Sequence, residues 1–316
     1  MTDRKVIAIA GATGAQGGGL ARAILADPES DFSVRALTRD PESAKARALA
    51  ELGADVVAAD LYDVESLARA FDGAYGAYCV TFYWAHMSPD KEKTEASNLA
   101  HAVQSAGVEH VIWSTLEDTR RWVPLSDNRM PTLMGKYKVP HFDAKGEMDH
   151  LFADLGVPTT FLLASFYWDN FIYFGSGPKR GADGVLALTL PIGDAKMAGI
   201  GADDIGKVGY GIFRRGTELV GQRIGAAGEH LTGSEMAAAM SRALGEEVRF
   251  SPVAPDVFRS FGFPGADDLG NMFQFYDEFE DVCNEIRDVA RSRQLAPGLK
   301  TFDQWLSAHA AQIPID

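Results

Sequence analysis

The sequence is poor in cysteine, with only Cys79 and Cys283 among its 316 residues. Two cysteines exclude a disulfide framework, and neither lies beside a second ligand at the spacing of a metal site. The seven histidines show no H-x-x-x-H or H-E-x-x-H spacing, and no G-x-S-x-G motif marks a hydrolase nucleophile. We therefore expect neither a metal site nor hydrolase chemistry.

Positive charge is also scarce, because 30 Lys and Arg face 44 Asp and Glu, a formal net charge of −14. Binding to nucleic-acid phosphates needs clustered cations, so the composition argues against a direct nucleic-acid partner. No apolar run reaches the length of a membrane span, and no signal peptide fits before the first predicted strand. These absences predict a cytoplasmic protein with no membrane partner.

The first 25 residues combine a strand pattern, a glycine-rich turn and a helix pattern. Residues 6–10 are small and β-branched, which predicts a buried parallel strand, and residues 18–25 place apolar side chains on one helical face. The turn has G-x-x-G-x-x-G spacing, in which Gly11 allows a tight turn, Gly14 leaves room for a pyrophosphate and Gly17 permits close helix packing. An ordinary glycine-rich turn is the alternative. We predict dinucleotide contacts from Gly11, Ala12, Thr13, Gly14, Ala15, Gln16 and Gly17.

Strand and helix patterns continue to alternate after this turn. We predict further strands at residues 34–38, 54–60, 74–81, 110–114 and 158–164, with amphipathic helices between the first five strands of the chain. Successive βα units of this kind predict an α/β fold, a Rossmann doubly wound parallel sheet.

The pattern changes near residue 165, where the chain becomes strongly aromatic over residues 166–174. We predict a dinucleotide-binding Rossmann domain at 1–164 and a smaller, partly interleaved α/β domain at 165–316. The polar, proline-rich stretch at 118–140 follows the fifth strand, and loops at that end of a strand tend to lie over the ligand crevice.

Arg39 follows the second predicted strand, where NAD-selective folds usually place an acid to hold the ribose 2′-OH. An arginine there pairs instead with a 2′-phosphate, so the sequence favours NADP(H) over NAD(H). Asp40 and Glu42 oppose this interpretation, because nearby negative charge weakens phosphate binding. A solvated surface arginine is the alternative.

Two further strand ends are candidates for the cofactor. Asp60 and Leu61 end the third strand, at the corner that meets the adenine ring in this architecture. Thr81, Phe82 and Tyr83 end the fourth strand, where the chain passes the pyrophosphate and ribose. Core packing is the alternative role for these aromatic residues.

Ser114, His141 and Lys145 stand where short-chain dehydrogenases commonly place a Ser and a Tyr-x-x-x-Lys pair. Lys145 matches the lysine that holds the nicotinamide ribose, but His141 occupies the tyrosine position. A histidine is able to act as an acid near neutral pH. His141 is therefore either a catalytic acid or a residue that orients the preceding loop.

Five stretches resemble one family, the NmrA-like atypical short-chain dehydrogenases, and in particular its animal redox-sensor proteins. They are G-A-T-G-A-Q-G at 11–17, T-R at 38–39, H-F-D-A-K-G-E at 141–147, G-V-P at 156–158 and F-G-F-P-G-A at 261–266. The resemblance implies a Rossmann domain with a smaller α/β domain and a bound NADP. It also implies that the cofactor is lined by Gly11 to Gln16, Thr38, Arg39, Asp40, Ser43, Asp60, Leu61, Thr81, Phe82, Tyr83, Lys145, Tyr167, Trp168, Asp169 and Asn170.

The resemblance implies two possible activities. Regulators in this family sense the NADPH/NADP ratio and pass it to a protein partner or a second copy of the chain. Other members are NADPH-dependent reductases of quinone-like or other apolar substrates, with a lysine as the usual catalytic residue. We expect redox sensing first and a reductase using Lys145, and His141 as a possible acid, as the alternative.

Overall fold

The computed structural model describes residues 4–315. Its first half alternates strands and helices, as the sequence predicts. The elements in chain order are β1 (Lys5–Ile9), α1 (Ala15–Leu25), β2 (Phe32–Thr38), α2 (Ala44–Glu51), β3 (Asp55–Ala58), α3 (Val64–Phe71), β4 (Gly76–Cys79), α4 (Pro89–Ser105), β5 (His110–Thr115), α5 (Pro140–Asp154) and β6 (Thr159–Ala164).

Short strands and helices follow in the second half. They are β7 (Phe166–Tyr167), α6 (Asn170–Tyr173), β8 (Lys179–Arg180), β9 (Leu186–Leu188), β10 (Met197–Ile200), α7 (Ala202–Arg215), β11 (Arg223–Ala226), β12 (Glu229–Leu231), α8 (Gly233–Leu244), β13 (Val248–Phe250), α9 (Pro255–Arg259), α10 (Ala266–Glu278), α11 (Glu280–Ile286), α12 (Val289–Leu295) and α13 (Phe302–His309).

Seven strands form one sheet in the order β11-β6-β5-β4-β1-β2-β3. β1 pairs in parallel with β2 on one side, with Ile7 opposite Val34, and with β4 on the other, with Ile7 opposite Gly76. The chain therefore builds outward from β1 to β3 and then crosses to β4, so the strand order reverses between β1 and β4. Ligands of doubly wound sheets bind at the carboxyl ends of the strands at such a reversal. The predicted Rossmann α/β fold is confirmed.

Local sequence signals account for most of the element ends. Ser88 caps α4 with Pro89 in its first turn, and Thr232 with Glu235 forms a reciprocal capping box on α8. Ser43 caps α2, which begins at the next residue, Ala44. These caps satisfy N–H groups of the first helical turns and so fix where the three helices begin.

The chain divides into two compact units. The first comprises Met1–Asp118, Ala144–Ala164 and Asp203–Ile224, and it holds a buried apolar core between the sheet and the helices α3, α4 and α5. The predicted division at residue 164 into a cofactor domain and a substrate domain stays a prediction.

The second unit comprises Thr119–Asp143, Ser165–Ala202 and Gly225–Asp316. It contains two three-stranded sheets, ordered β12-β10-β7 and β13-β9-β8. Its aromatic core includes Trp168, Phe302 and Trp305, whose rings lie in mutual contact. Among residues 4–315, no helix is both long enough and apolar enough to cross a membrane.

Candidate functional site

The glycine turn between β1 and α1 has the geometry that its spacing predicts. Gly11 adopts a left-handed φ of +65°, and its carbonyl accepts a hydrogen bond from the Gly14 N–H at 2.9 Å. A Cβ on Gly17 would lie 2.5 Å from the Gly11 oxygen. A side chain at Gly17 would therefore force the helix away from the strand.

α1 begins at Ala15 without a capping side chain. Gly14 is its N-cap residue, makes no side-chain cap and is followed by no acid in the first turn. The first N–H groups of a helix have no carbonyl partner within that helix, and they carry its positive dipole end. This turn therefore offers donors and positive potential to an anion, and it lies beside the reversal between β1 and β4.

Gln16, in the first turn of α1, joins two neighbouring strands through its side chain. Its Oε1 accepts hydrogen bonds from the hydroxyl groups of Tyr78 on β4 and Ser114 on β5, the latter at 2.8 Å. All three residues are buried. Ser114, a candidate catalytic residue in the sequence, is thus engaged in fixing the start of α1.

At the end of β2, Arg39 is exposed, and within residues 4–315 its guanidinium makes no hydrogen bond or ion pair. The Asp40 carboxylate accepts the Glu42 N–H at 3.0 Å, and the Asp40 carbonyl accepts the Ser43 hydroxyl at 2.8 Å. Asp40 is therefore tied into the turn before α2. The arrangement leaves Arg39 available to an anion beside β2.

Asp60 and Leu61 also belong to a structured turn. The Asp60 carboxylate accepts the Tyr62 N–H at 2.9 Å, and the Leu61 carbonyl accepts a hydrogen bond from Asn98 on α4 at 2.8 Å. β3 ends at Ala58, two residues earlier than predicted, because this turn takes over the backbone hydrogen bonding.

Thr81, two residues beyond β4, and Lys145, on α5, are in direct contact. Lys145 Nζ lies 2.5 Å from Thr81 Oγ1 and 3.2 Å from its carbonyl oxygen. Glu92 of α4 accepts from both, since its Oε1 lies 2.7 Å from Lys145 Nζ and 2.5 Å from Thr81 Oγ1. The structure thus joins two residues that the sequence analysis assigned separately to the cofactor.

Phe82 and Tyr83 follow Thr81 and differ in exposure. Phe82 is 57% exposed, whereas Tyr83 is buried with its ring against Trp84 and His86. Tyr83 thus packs in the interior and Phe82 presents an apolar ring to solvent, and their predicted contact with the cofactor stays a prediction.

α5 is fixed to the sheet one turn beyond Lys145. Asp149 accepts hydrogen bonds from Trp113 Nε1 at 3.0 Å and Thr115 Oγ1 at 2.6 Å, and it forms an ion pair with Arg223. Burial raises the pKa of Asp149, and the Arg223 charge and these hydrogen bonds act in the opposite direction. This anchor holds the helix that carries Lys145.

A buried acidic cluster that was not predicted from the sequence lies beside Lys145. His86 Nε2 lies 3.4 Å from Glu92 Oε2 and 3.7 Å from Glu95 Oε2. The signal was present in α4, where Glu92 and Glu95 stand three residues apart and continue the buried face of Leu99 and Val103. Acids in an apolar stripe indicate a buried polar site.

His141 lies in the second unit, paired with Asp268 of α10. Its Nδ1 is 2.6 Å from one carboxylate oxygen, and its backbone N–H donates to the other at 3.2 Å. Asp143, which is fully buried, accepts from the Thr119 and Lys138 N–H groups. These contacts fasten the start of α5 and the loop before it, and the predicted catalytic role of His141 stays a prediction.

The last predicted cofactor residues, Tyr167 to Asn170, also belong to the second unit. Tyr167 ends β7, Trp168 is buried against Phe302, and Asp169 accepts the Ala202 N–H at 2.8 Å. Asn170 begins the short helix α6. Their predicted contact with the cofactor stays a prediction.

The sheet order and the glycine turn together define a Rossmann-like dinucleotide-binding fold. Residues 3–306 match the NmrA-like family. The chain belongs to this family, which confirms the resemblance drawn from its motifs.

Similar proteins include both enzymes and a regulator. The NmrA-like family domain-containing oxidoreductase FrzB of Cladobotryum sp is 30% identical over 294 residues, covering 85% of this chain and 83% of that protein. The structure of NmrA, a negative transcriptional regulator, in complex with NADP has a TM-score of 0.78 at 24% identity and covers 97% of this chain and 95% of that one. NmrA has also been solved in complex with NAD. Triphenylmethane reductase of Citrobacter sp, complexed with NADP(H), has a TM-score of 0.72 at 19% identity, covering 97% and 99%.

Proposed function

We propose that this protein binds a nicotinamide dinucleotide at the strand ends of its first unit and senses the NADPH/NADP redox state. The observation that carries the binding site is the start of α1. Its N-cap is a glycine, no side chain caps it, and it follows β1 where the strand order reverses. The dinucleotide complexes of NmrA and triphenylmethane reductase support the same assignment.

The residues present fit such a cofactor. The close approach of Gly17 to the Gly11 carbonyl forms a compact turn in which the pyrophosphate would meet the N–H groups of α1. Lys145 would hold a ribose hydroxyl, because its ammonium group lies at the end of β4 and is positioned by Thr81 and Glu92. When bound, the nicotinamide supplies or accepts a hydride.

Replacement of Gly14 tests the site. Gly14→Val should abolish dinucleotide binding measured by calorimetry, because its side chain would occupy the space of the pyrophosphate and crowd the Gly11 oxygen, which lies 3.1 Å from a Cβ at this position. Ala23→Val in the same helix is the control. Circular dichroism verifies that both variants fold, and unchanged affinity in folded Gly14→Val contradicts the assignment.

The preference for NADP(H) rests on Arg39. The Arg39→Ala variant should lose about 1.5–3 kcal/mol of NADP binding, the scale of a charge-assisted contact, and almost no NAD binding. The control Arg47→Ala, which removes an exposed arginine on α2, should change neither affinity. Equal losses for the two cofactors would show that Arg39 does not contact the 2′-phosphate.

The contacts of His141 favour redox sensing over catalysis. This residue stands at the position of the usual tyrosine proton donor, and its Nδ1 and backbone N–H are both directed at Asp268. A sensor needs a cofactor-dependent change of conformation or association, with a protein partner or a second copy as the receiver. The net charge of −14 argues against a direct nucleic-acid receiver.

A second candidate is an NADPH-dependent reductase that uses Lys145, with His141 as a possible acid. The names of FrzB and other oxidoreductases among the relatives favour it, as does the buried, positioned ammonium of Lys145. NADPH oxidation with a panel of quinones and aldehydes separates the two proposals. Absence of turnover despite tight cofactor binding supports the sensor, and robust turnover supports the reductase.

A further inference from the structure

The acidic cluster beside Lys145 holds more negative charge than its contacts neutralise. Glu92 is fully buried, Glu95 is 8% exposed, and the His86 side chain is 8% exposed. Lys145 is the ammonium group within ion-pair distance of Glu92, at 2.7 Å. Among residues 4–315, Glu95 has no ammonium group at ion-pair distance, and burial makes an uncompensated charge costly.

Two buried atoms of the cluster face one another without a hydrogen bond. In the part of the chain from 4 to 315, His86 Nε2 and Glu92 Oε2 have no hydrogen-bond partner, although they lie 3.4 Å apart. Glu95 Oε2 is 3.7 Å from the same nitrogen. The three groups thus converge on one point, where a small cation, either a metal ion or a proton, would balance the charge.

The hydrogen bonding of His86 favours a proton. Its Nδ1 accepts the Ser88 N–H at 3.1 Å, so the neutral imidazole carries its hydrogen on Nε2. A metal ion needs the lone pair of that same Nε2, which this tautomer does not offer. The Lys145 ammonium on the opposite oxygen of Glu92 would also repel a divalent ion.

Charged and titratable groups face Glu95 from four parts of the first unit. They are Tyr62 after β3, His86 after β4, Glu92 on α4 and Lys145 on α5. Burial raises the pKa of Glu95, and the Tyr62 hydrogen bond and the Lys145 charge oppose that shift. Burial and its bond to Glu95 raise the pKa of Tyr62 to about 12, so Tyr62 remains a neutral donor.

We propose that His86, Glu92 and Glu95 form a proton-binding site that gains a proton when the dinucleotide binds at Lys145. The inference rests on the proposed function, which places a ribose on the Lys145 ammonium. A bound cofactor brings phosphate charge and competes with Glu92 for the hydrogens of Lys145 Nζ. Both effects weaken the positive compensation of Glu95, whose carboxylate then takes a proton from water to become a neutral acid.

Proton uptake makes dinucleotide affinity depend on pH. The bound state holds more protons than the free state between the two pKa values of Glu95, so affinity falls as pH rises through that window. One fully coupled proton corresponds to about a tenfold loss of affinity per pH unit. The cluster would thereby link cofactor occupancy to the pH around the protein.

Calorimetry of NADPH binding to the 316-residue chain tests the inference. Titrations at pH 7 in buffers with different ionisation heats give the number of protons exchanged, and we expect net uptake. The Glu95→Gln variant should bind NADPH with that uptake lost and the pH dependence flattened. Asp90→Asn removes an exposed carboxylate from the same helix and should retain the uptake. The 2′-phosphate titrates at about pH 6 in every variant, so the difference between wild type and Glu95→Gln isolates the cluster.

Each outcome bears on a different statement. Binding whose heat is independent of buffer in the wild type overturns the proton site but leaves the proposed function intact, whereas absence of binding overturns the proposed function. Stoichiometric binding of ZnCl₂ that is lost in Glu95→Gln would show a metal site and overturn the proton site. If Glu95→Gln fails to fold, the buffer series with the wild-type protein decides the question.

Discussion

Two successive turns of α5 each present a basic side chain to a buried carboxylate. One carboxylate also binds the backbone of α5, whereas the other contacts side chains. Asp268 binds the ring and also the backbone N–H of His141, within the second unit. Glu92 instead meets the ends of side chains within the first unit, those of Lys145 and Thr81 at one oxygen and that of His86 at the other. A carboxylate that accepts a backbone hydrogen bond fixes the course of the chain. One that contacts the flexible ends of side chains leaves those side chains able to move when a ligand binds.

The largest effect that tests this comparison is expected at Asp268. The Asp268→Ala variant leaves two buried donors of His141 without their acceptor, so it should lose roughly 4 kcal/mol of unfolding free energy. Urea denaturation followed by circular dichroism measures the loss. Asp267→Ala, at the exposed neighbouring position, is the control. A loss below about 1 kcal/mol would contradict a structural role for the pair.

The next largest effect is a pH dependence of stability that arises from His110. This histidine is buried, and its Nε2 lies 3.0 Å from the hydroxyl oxygen of Thr160. Burial lowers the pKa of His110 to about 4, below its ordinary value of 6.5. The unfolded chain binds a proton more readily, so stability is present above pH 6.5 and is lost as pH falls towards 4, by about 3 kcal/mol.

The measurement is unfolding free energy at a series of pH values between 7 and about 4. The His110→Gln variant should lose less stability over this range than the wild type. His101→Gln, on the exposed face of α4, should behave as the wild type. Parallel curves for all three proteins would show that His110 is not the group responsible.

The third effect is a difference in dinucleotide affinity between variants of Lys145 and His141. The Lys145→Met variant should weaken dinucleotide binding by about 2 kcal/mol, because it removes a charge-assisted hydrogen bond to the ribose. The His141→Phe variant should change affinity by less than about twofold, because its backbone bond to Asp268 remains. Calorimetry compares the two variants.

Measuring turnover in the same variants distinguishes catalysis from sensing. If the wild type oxidises NADPH with a carbonyl or quinone substrate, loss of a positioned acid should lower its rate by about 10²–10⁴. A fall of that size in His141→Phe with unchanged affinity would assign catalysis to His141 and decide against redox sensing. An unchanged rate would confine His141 to its contact with Asp268.

The sequence predicts the parts of the fold that local patterns encode. The strand before Gly11 and the alternation of strands and helices after the glycine turn appear where expected. β11, at the edge of the large sheet, was not predicted. Its four residues carry little pattern of their own, and their place is decided by pairing with β6, over 55 residues earlier in the chain.

The candidate site is predictable only in part for the same reason. Spacing alone places His141 and Lys145 on one helix, but it does not reveal that Asp268 lies against His141, 127 residues away. Glu92 and Glu95 were more accessible to prediction, because they stand in the buried stripe of α4. The partner of a buried charge is a tertiary property that local periodicity does not contain.

The two glycines at the contact between α1 and α7 have a mechanical consequence. A Cβ on Gly19 would lie 2.5 Å from the Asp203 oxygen, and one on Gly206 would lie 2.0 Å from the Leu20 nitrogen. The two backbones therefore touch with no side chain between them to absorb a displacement. Any shift of α1, including one that starts at the glycine turn before it, is therefore transmitted directly to α7, and the two helices move together.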